Sequence, residues 1–106
     1  TFLATKVSFF NEIEEFCLKN NLNFPTVRKL IACDPRIGES HSQEPGKDGK
    51  RGYGGTCFPK DVNSLVFQMK KSKVKNYILK ATKERNEKHD RPDKDWENGK
   101  GRAVSY

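Results

Sequence analysis

A glycine-rich run without helical or strand periodicity divides this chain into two helical parts. It extends from Arg36 to Gly55 and contains six of the eight glycines of the 106-residue chain. On both sides of the run, apolar residues recur at helical steps. A loop of this length inside a small domain is usually functional or disordered. The sequence therefore predicts an all-α domain of about four helices with one long, ordered loop.

The first predicted helix, from Thr1 to about Leu18, has two apolar seams. One seam advances by steps of three and four residues: Leu3, Val7, Phe10, Ile13 and Cys17. The second seam repeats every seven residues: Phe2, Phe9 and Phe16. Such a helix is expected to be covered by its own domain and also by a second subunit or domain. A single helix buried in a monomer would have the same spacing, so both interpretations stay open.

Three further helices follow from the remaining breaks and spacings. Pro25 begins a short helix that ends at Asp34–Pro35, because a residue before proline avoids the helical region. Structure resumes at Pro59, and the next helix is predicted from Val62, Leu65, Val66 and Met69. A fourth helix carries Val74, Tyr77, Ile78 and Ala81.

Composition excludes several classes of protein. Hydrophobic and charged residues each make up 33% of the chain, and no apolar run approaches the roughly 20 residues of a membrane span. The three cysteines lack paired spacing, which argues against a disulfide framework and a CxxC zinc site. We expect Cys17 and Cys33 to be buried on apolar helical faces, no metal, no membrane association and a cytoplasmic location.

The net charge of +7 is compatible with nucleic acid, an anionic surface or phosphorylated small molecules as partners. The densest basic run comprises Lys70, Lys71, Lys73 and Lys75. It has no interleaved aromatic residues and is typical of a solvated turn, so we expect no nucleic-acid partner.

The ends of the chain suggest a piece of a larger protein. The chain starts without Met inside a helical pattern, and residues 87–106 have the composition of a charged linker or tail. Residues 103–106 could open a strand.

The strongest signal for chemistry is the segment Gly52–Asp61, Gly-Tyr-Gly-Gly-Thr-Cys-Phe-Pro-Lys-Asp. It brings the thiol of Cys57 from a glycine loop, where backbone can approach a ligand, to the start of a helix, where amide groups favour anions. The helix dipole and Lys60 favour a thiolate, whereas Asp61 opposes it. Asp61 lies one turn after Cys57, where a carboxylate can handle a proton or position a water. The alternative, a small buried structural cysteine, fits these neighbours less well.

This segment resembles the catalytic-cysteine signature of the UDP-glucose/GDP-mannose dehydrogenase family. Asp34–Gly38 resembles a second motif of that family, and residues 1–13 resemble the long helix before both. The resemblance implies that residues 1–86 form the family's central helical dimerisation domain. It places this domain between a Rossmann domain that holds NAD and a third domain that holds the UDP moiety, with residues 87–106 as the linker toward the latter.

The resemblance also implies a reaction, the oxidation of UDP-glucose to UDP-glucuronate by two NAD⁺ in succession. Cys57 would form a thiohemiacetal and then a thioester, which splits a difficult oxidation into accessible steps. Asp61 matches the family's aspartate of proton transfer and thioester hydrolysis, and Lys60 matches a lysine near the cofactor phosphates. Phe58 before the proline is closer to the UDP-glucose branch than to the GDP-mannose branch.

Substrate-binding residues follow from the same resemblance. Arg36 matches an arginine that reaches the substrate of a neighbouring subunit, so a homodimer is implied. Tyr53, Gly54 and Gly55 would lie against the substrate. His41 either touches the sugar phosphate or is a solvated loop histidine.

One part of the family pattern is not found. The family's Lys-x-x-x-Asn motif belongs immediately before Thr1, and neither Lys6 nor Asn11 has the spacing to replace it. This chain alone is therefore expected to be inactive. The alternative function is a non-catalytic helical dimerisation module that retains the cysteine loop.

Overall fold

A computed structural model describes residues 1–99, which form four α-helices and two short helical turns. The four helices are α1 (Phe2–Lys19), α2 (Phe24–Ala32), α3 (Cys57–Lys71) and α4 (Tyr77–Arg85). A π-helical turn, Asn86–Asp90, continues α4, and a 3₁₀ turn covers Asp95–Gly99. Residues 1–99 contain no strand, which confirms the predicted all-α class; the strand expected at residues 103–106 lies outside the described residues.

Local interactions explain where the first two helices end and begin. After α1, the Leu22 N–H donates to the Cys17 carbonyl oxygen at 2.8 Å, and Asn21 adopts a positive φ of 56°. The side chain of Asn23 then accepts a hydrogen bond from the Thr26 N–H at 3.0 Å, which caps α2. Pro25 lies in the first turn of α2, where its missing N–H costs no hydrogen bond.

The core forms around α1, which contacts the other three α-helices. One buried cluster consists of Ala4, Val7, Tyr53, Val62 and Val66, and the other consists of Phe10, Cys17 and Phe24. The first apolar seam of α1 therefore packs inward as predicted, apart from Leu3, which is exposed. The prediction that Cys33 is buried is wrong, because α2 ends at Ala32 and Cys33 follows it as an exposed C-cap.

The second seam of α1 is exposed. Phe2, Phe9 and Phe16 keep 77%, 51% and 58% of their surface accessible. Phe9 lines two surface grooves, one of about 370 Å³ toward Ile31 and Ile37, and one of about 400 Å³ toward Tyr77 and Ile78. Among the helices of residues 1–99, none combines the length and the apolarity needed to cross a membrane.

Candidate active site

The thiol of Cys57 lies at the protein surface, at the first residue of α3. Residues 34–56 connect α2 to α3 without a helix and lead to Thr56, the N-cap, whose side chain makes no capping hydrogen bond. Beyond Cys57, Pro59 is buried and Phe58 packs against the first core cluster. The first-turn amides of α3 lack intrahelical partners, so the helix turn that begins with the exposed Cys57 also contains free backbone donors.

Two further predicted residues share this end of α3. Lys60 and Asp61 are both exposed, and Asp61 lies one helical turn after Cys57, on the same face. The structure therefore brings together the predicted nucleophile, the predicted proton-handling carboxylate and the predicted cofactor-binding lysine. A thiol, a carboxylate and an ammonium group in one exposed turn can perform nucleophilic attack, proton transfer and anion binding.

Tyr53 lies in the core rather than on the surface of the loop. Its side chain is 1% exposed and packs edge-to-face on Phe58, with ring centroids 6.3 Å apart. Burial raises the pKa of the Tyr53 phenol, and Glu87 adds to that shift, so the group stays neutral at physiological pH. The contact with substrate that the resemblance implies for Tyr53 remains a prediction; the structure adds that its ring supports Phe58, next to Cys57.

The backbone on either side of Tyr53 is held by two buried asparagines. Asn86 accepts a hydrogen bond from the Tyr53 N–H at 2.8 Å and donates from Nδ2 to the Tyr53 carbonyl oxygen at 3.0 Å. Asn11 accepts from the Gly52 N–H at 3.2 Å and donates to the Val7 carbonyl oxygen at 2.7 Å. The loop is thereby attached to both α1 and the end of α4.

A buried arginine lies directly beneath the next residue, Gly54. Arg91 is 3% exposed, donates from Nε to the Arg51 carbonyl oxygen at 2.9 Å and pairs with Asp48 at 2.6 Å. A Cβ on Gly54 would lie 1.8 Å from the Arg91 guanidinium, so a larger residue there would displace the buried Arg91 side chain from its partners. Gly55 follows with a φ of 75° and turns the chain toward α3.

An ion-pair network attaches the loop to the helices. Arg51 pairs with Glu14 of α1 at 2.8 Å and with the buried Asp90 at 3.3 Å. Arg85 also pairs with Asp90, at 3.0 Å, and both arginines pair with Glu15. Burial raises the pKa of Asp90, although the positive charges of Arg85 and Arg51 oppose that shift.

This network includes a group with the geometry of a metal site. Ligand atoms of Glu15, His89 and Asp90 lie within 4.8 Å of one another. The guanidinium groups of Arg51 and Arg85 already neutralise these carboxylates, and they would repel a cation. The cluster is therefore best explained as an ion-pair network.

Arg36 lies on the side of the exposed aromatic seam. Its side chain is 88% exposed and pairs with Asp34 at 2.7 Å. It borders the groove formed by Phe2 and Phe9, a groove whose lining does not include Cys57. Lys6 donates to the Ile37 carbonyl oxygen at 2.6 Å and fixes this turn to α1.

His41 is half-buried and packs on Phe58, the residue that follows Cys57. Its ring lies 5.6 Å from that of Phe58, measured between centroids. Burial lowers the pKa of His41, and the charges of Lys6 and Lys47 lower it further, which favours the neutral imidazole. Arg28 and Lys47 line a cavity of about 210 Å³ with it. The packing on Phe58 goes beyond that of a fully solvated loop histidine.

Sequence reasoning did not single out Asn86 and Arg91. Both follow α4, in a stretch whose charge density is typical of exposed residues, yet both are buried. In the sequence, only the glycines at positions 52 and 54 indicated these contacts, because glycine often marks a place where another group approaches the backbone closely.

Comparison with known proteins identifies the family. A sequence profile of the UDP-glucose/GDP-mannose dehydrogenase family, central domain, matches residues 1–88. UDP-glucose 6-dehydrogenase of Pseudomonas aeruginosa is 40% identical over 85 residues, which cover 80% of this chain and 18% of the relative. The enzyme of Campylobacter jejuni is 38% identical over 87 residues, 82% of this chain and 20% of the relative.

A third relative agrees with these two. UDP-glucose 6-dehydrogenase of Rickettsia conorii is 36% identical over 81 residues, which cover 76% of this chain and 18% of the relative. The chain thus spans about a fifth of the length of the relatives it matches. Together with the all-helical fold, these matches show that the chain belongs to the UDP-glucose/GDP-mannose dehydrogenase family and represents its central domain.

Proposed function

We propose that this chain is the central domain of a UDP-glucose 6-dehydrogenase that oxidises UDP-glucose to UDP-glucuronate, with Cys57 as its nucleophile. The observation that carries the proposal is the position of Cys57, exposed at the start of α3 one turn before Asp61. The relatives are UDP-glucose 6-dehydrogenases, and they supply the proposed substrate class. The free state of all three cysteines agrees with a cytoplasmic location, where thiols stay reduced.

In this proposal Cys57 acts after the sugar alcohol has been oxidised to the aldehyde. Its sulfur attacks the aldehyde carbon and gives a thiohemiacetal, and loss of a hydride from that carbon gives a thioester. Asp61 takes up a proton and orients the water that hydrolyses the thioester to the acid. Bound NAD⁺ supplies the hydride acceptor for both oxidations. First-turn amides of α3 stabilise negative charge that develops beside the sulfur.

The residues of this chain contribute only a small part of the proposed dinucleotide-binding surface. Lys60 is exposed in the same turn as Cys57, so its ammonium group can face a phosphate. We propose that most of the NAD-binding surface lies in sequence outside this chain, as the span of the relatives suggests. The backbone of Gly54 and Gly55 and the neighbourhood of Tyr53 are proposed to contact the sugar.

We further propose that the enzyme is a homodimer in which Arg36 binds the substrate of the partner subunit. Arg36 is exposed and borders the groove that the aromatic seam of α1 forms. If a second copy covers that seam, Arg36 lies at the edge of the contact and faces the other subunit.

The test measures NADH formation from UDP-glucose by the protein with its native flanking sequence, with GDP-mannose as the control substrate. We expect two NADH for each UDP-glucose, as the two oxidation steps require, and loss of turnover to the acid in Cys57→Ser. Cys33→Ser is the matched control, because Cys33 is exposed on another element and should not affect turnover.

Two outcomes would contradict the proposal. Undiminished acid production by Cys57→Ser would exclude the thiol as nucleophile. A folded protein that makes no NADH from either sugar would favour the non-catalytic dimerisation module.

A further inference from the structure

The carboxamide of Asn86 forms both backbone hydrogen bonds of a single loop residue. It accepts from the Tyr53 N–H at 2.8 Å and donates to the Tyr53 carbonyl oxygen at 3.0 Å, across 33 positions of sequence. This reciprocal pairing is the one that a neighbouring strand would offer. Asn86 is 0% exposed, so water cannot replace either hydrogen bond.

Asn86 itself is fixed by its position in the fold. It is the first residue of the π-helical turn that continues α4, and the Arg91 N–H donates to its carbonyl oxygen at 2.8 Å. A Cβ on Gly52 would lie 2.3 Å from the Asn86 Oδ1, so loop and carboxamide are in direct contact. Single π-helical turns inside helices are frequent at functional sites.

Only three residues separate this attachment point from Cys57. Gly54 lies on the guanidinium of Arg91, and Gly55 and Thr56 then lead into α3. On the other side of Cys57, the Phe58 ring packs on the Tyr53 ring. The short segment limits how far Tyr53 and Cys57 can separate, and the Phe58 ring contact links Tyr53 to the first turn of α3 from the other side, so we expect a shift of Tyr53 to displace the Cys57 backbone.

We propose that Asn86 is a positioning residue for the Cys57 thiol: it fixes the Tyr53 backbone and so determines where the start of α3 presents the sulfur. This inference rests on the proposed function, which gives the position of the sulfur a catalytic consequence. Asn86 itself makes no contact with the reacting atoms in this scheme. The carboxamide is required because it supplies a donor and an acceptor on one short side chain.

The first test measures, without any substrate, how firmly the Cys57 sulfur is held, through the mobility of a label attached to it. A nitroxide label is attached to Cys57 in a Cys33→Ser background and, as the reference site, to Cys33 in a Cys57→Ser background; Cys17 is buried and stays unlabelled. In Asn86→Ala we expect the label at Cys57 to tumble at least about twofold faster, while the label at Cys33 is unchanged. Spectra are compared at a temperature at which circular dichroism shows equal helix content.

Asn76→Ala is the matched control. Asn76 precedes α4, and its side chain makes no capping hydrogen bond to that helix, so its removal should leave both labels unchanged. Asn86→Asp keeps the acceptor for the Tyr53 N–H and loses the donor, and should give intermediate mobility at Cys57. If Asn86→Ala does not fold, the label mobility in Asn86→Asp tests the positioning role in its place.

The second test reads turnover in the protein with its flanking sequence. We expect Asn86→Ala to lower kcat by about 10- to 100-fold, because small misplacements of a reacting group have effects of that size. The KM for UDP-glucose should change by less than about threefold. Asn86→Asp should recover part of the kcat.

The two proposals fail in different ways. Absence of NADH formation in the unsubstituted protein contradicts the proposed function. Unchanged label mobility at Cys57 in folded Asn86→Ala, or an equal loss of kcat in Asn76→Ala, overturns the positioning role.

Discussion

At the scale of single residues, the loop that leads to Cys57 contains glycine positions at which a side chain would collide with its neighbours. Gly52 and Gly49 both adopt positive φ, 68° and 77°. They differ in their surroundings: a Cβ on Gly52 would lie 2.3 Å from Asn86 Oδ1, whereas a Cβ on Gly49 would meet no atom within 4 Å. The two positions therefore separate the conformational cost of an added methyl group from its steric cost.

We predict that Gly52→Ala destabilises the fold by about 1–3 kcal/mol more than Gly49→Ala. Both substitutions carry the cost of a positive φ in a residue with a Cβ, but only the first displaces the Asn86 carboxamide. The measurement is the free energy of unfolding in urea, followed by circular dichroism. Equal losses in the two variants would show that the loop moves away from Asn86 at little cost.

Single residues also show what the sequence could reveal. The signature around Cys57 predicted a thiol at a helix start, and the structure places Cys57 at the first residue of α3, because glycine, proline and charged neighbours act locally. Cys33 was predicted wrongly, because apolar spacing does not state at which residue a helix ends. The burial of Tyr53 depends on packing against Phe58 and on Asn86, and the latter contact spans 33 positions.

At the scale of elements, the periodicity of apolar residues predicted the four helices and the long loop, but it placed Val74 in the fourth helix, which begins only at Tyr77. It gave no indication that Asn86, Asp90 and Arg91 would be buried, since all three are polar or charged. Their burial becomes favourable only when partners from α1 and the loop meet them, and such partners are distant in sequence. The ion-pair network between α1, the loop and the end of α4 is the clearest case.

Glu15 makes this network sensitive to acid. Burial raises its pKa, but the hydrogen bond from His89 and the charge of Arg85 outweigh burial, so the pKa of Glu15 lies below its ordinary value of 4.5. A carboxylate whose pKa is lowered on folding stabilises the fold above the unfolded pKa. That contribution is lost as the pH falls through the folded pKa.

We therefore predict that Glu15→Gln lowers stability at neutral pH by at most about 1 kcal/mol, since the side chain is partly exposed. The difference between the two proteins should shrink as the pH is lowered from about 7 to about 3. Asp90, Arg51, Arg85 and His89 face this carboxylate and are common to both proteins. The urea midpoint at each pH is the measurement, and Glu84→Gln, at an exposed position of α4, is the control. A stability difference between the two proteins that stays constant with pH would contradict a lowered pKa of Glu15 in the folded state.

At the scale of the whole molecule, the chain presents an apolar surface that its own fold does not cover. The seam of Phe2, Phe9 and Phe16 stays exposed, and Phe9 lies between two grooves. The spacing of the first helix predicted two apolar faces, and the structure buries one of them. It could not indicate that Arg36 borders the exposed face, because that placement requires the turn after α2 to be fixed on α1 by Lys6.

If the proposed homodimer forms through this seam, we predict that Phe9→Glu raises its dissociation constant at least about tenfold, because a symmetric contact loses the same aromatic group twice. Sedimentation velocity over a range of concentrations measures this shift. Phe67→Glu is the matched control, since Phe67 is 62% exposed on α3 and lines neither groove.

If Arg36 completes the site of the partner subunit, turnover of the protein with its flanking sequence should fall together with the dimer fraction. Mixing Phe9→Glu with an excess of Cys57→Ser protein should restore part of the turnover, because the mixed contact loses only one of its two Phe9 side chains and the Cys57→Ser subunit supplies Arg36. Full activity in a monomeric Phe9→Glu protein would place Arg36 outside the active site and confine catalysis to one subunit.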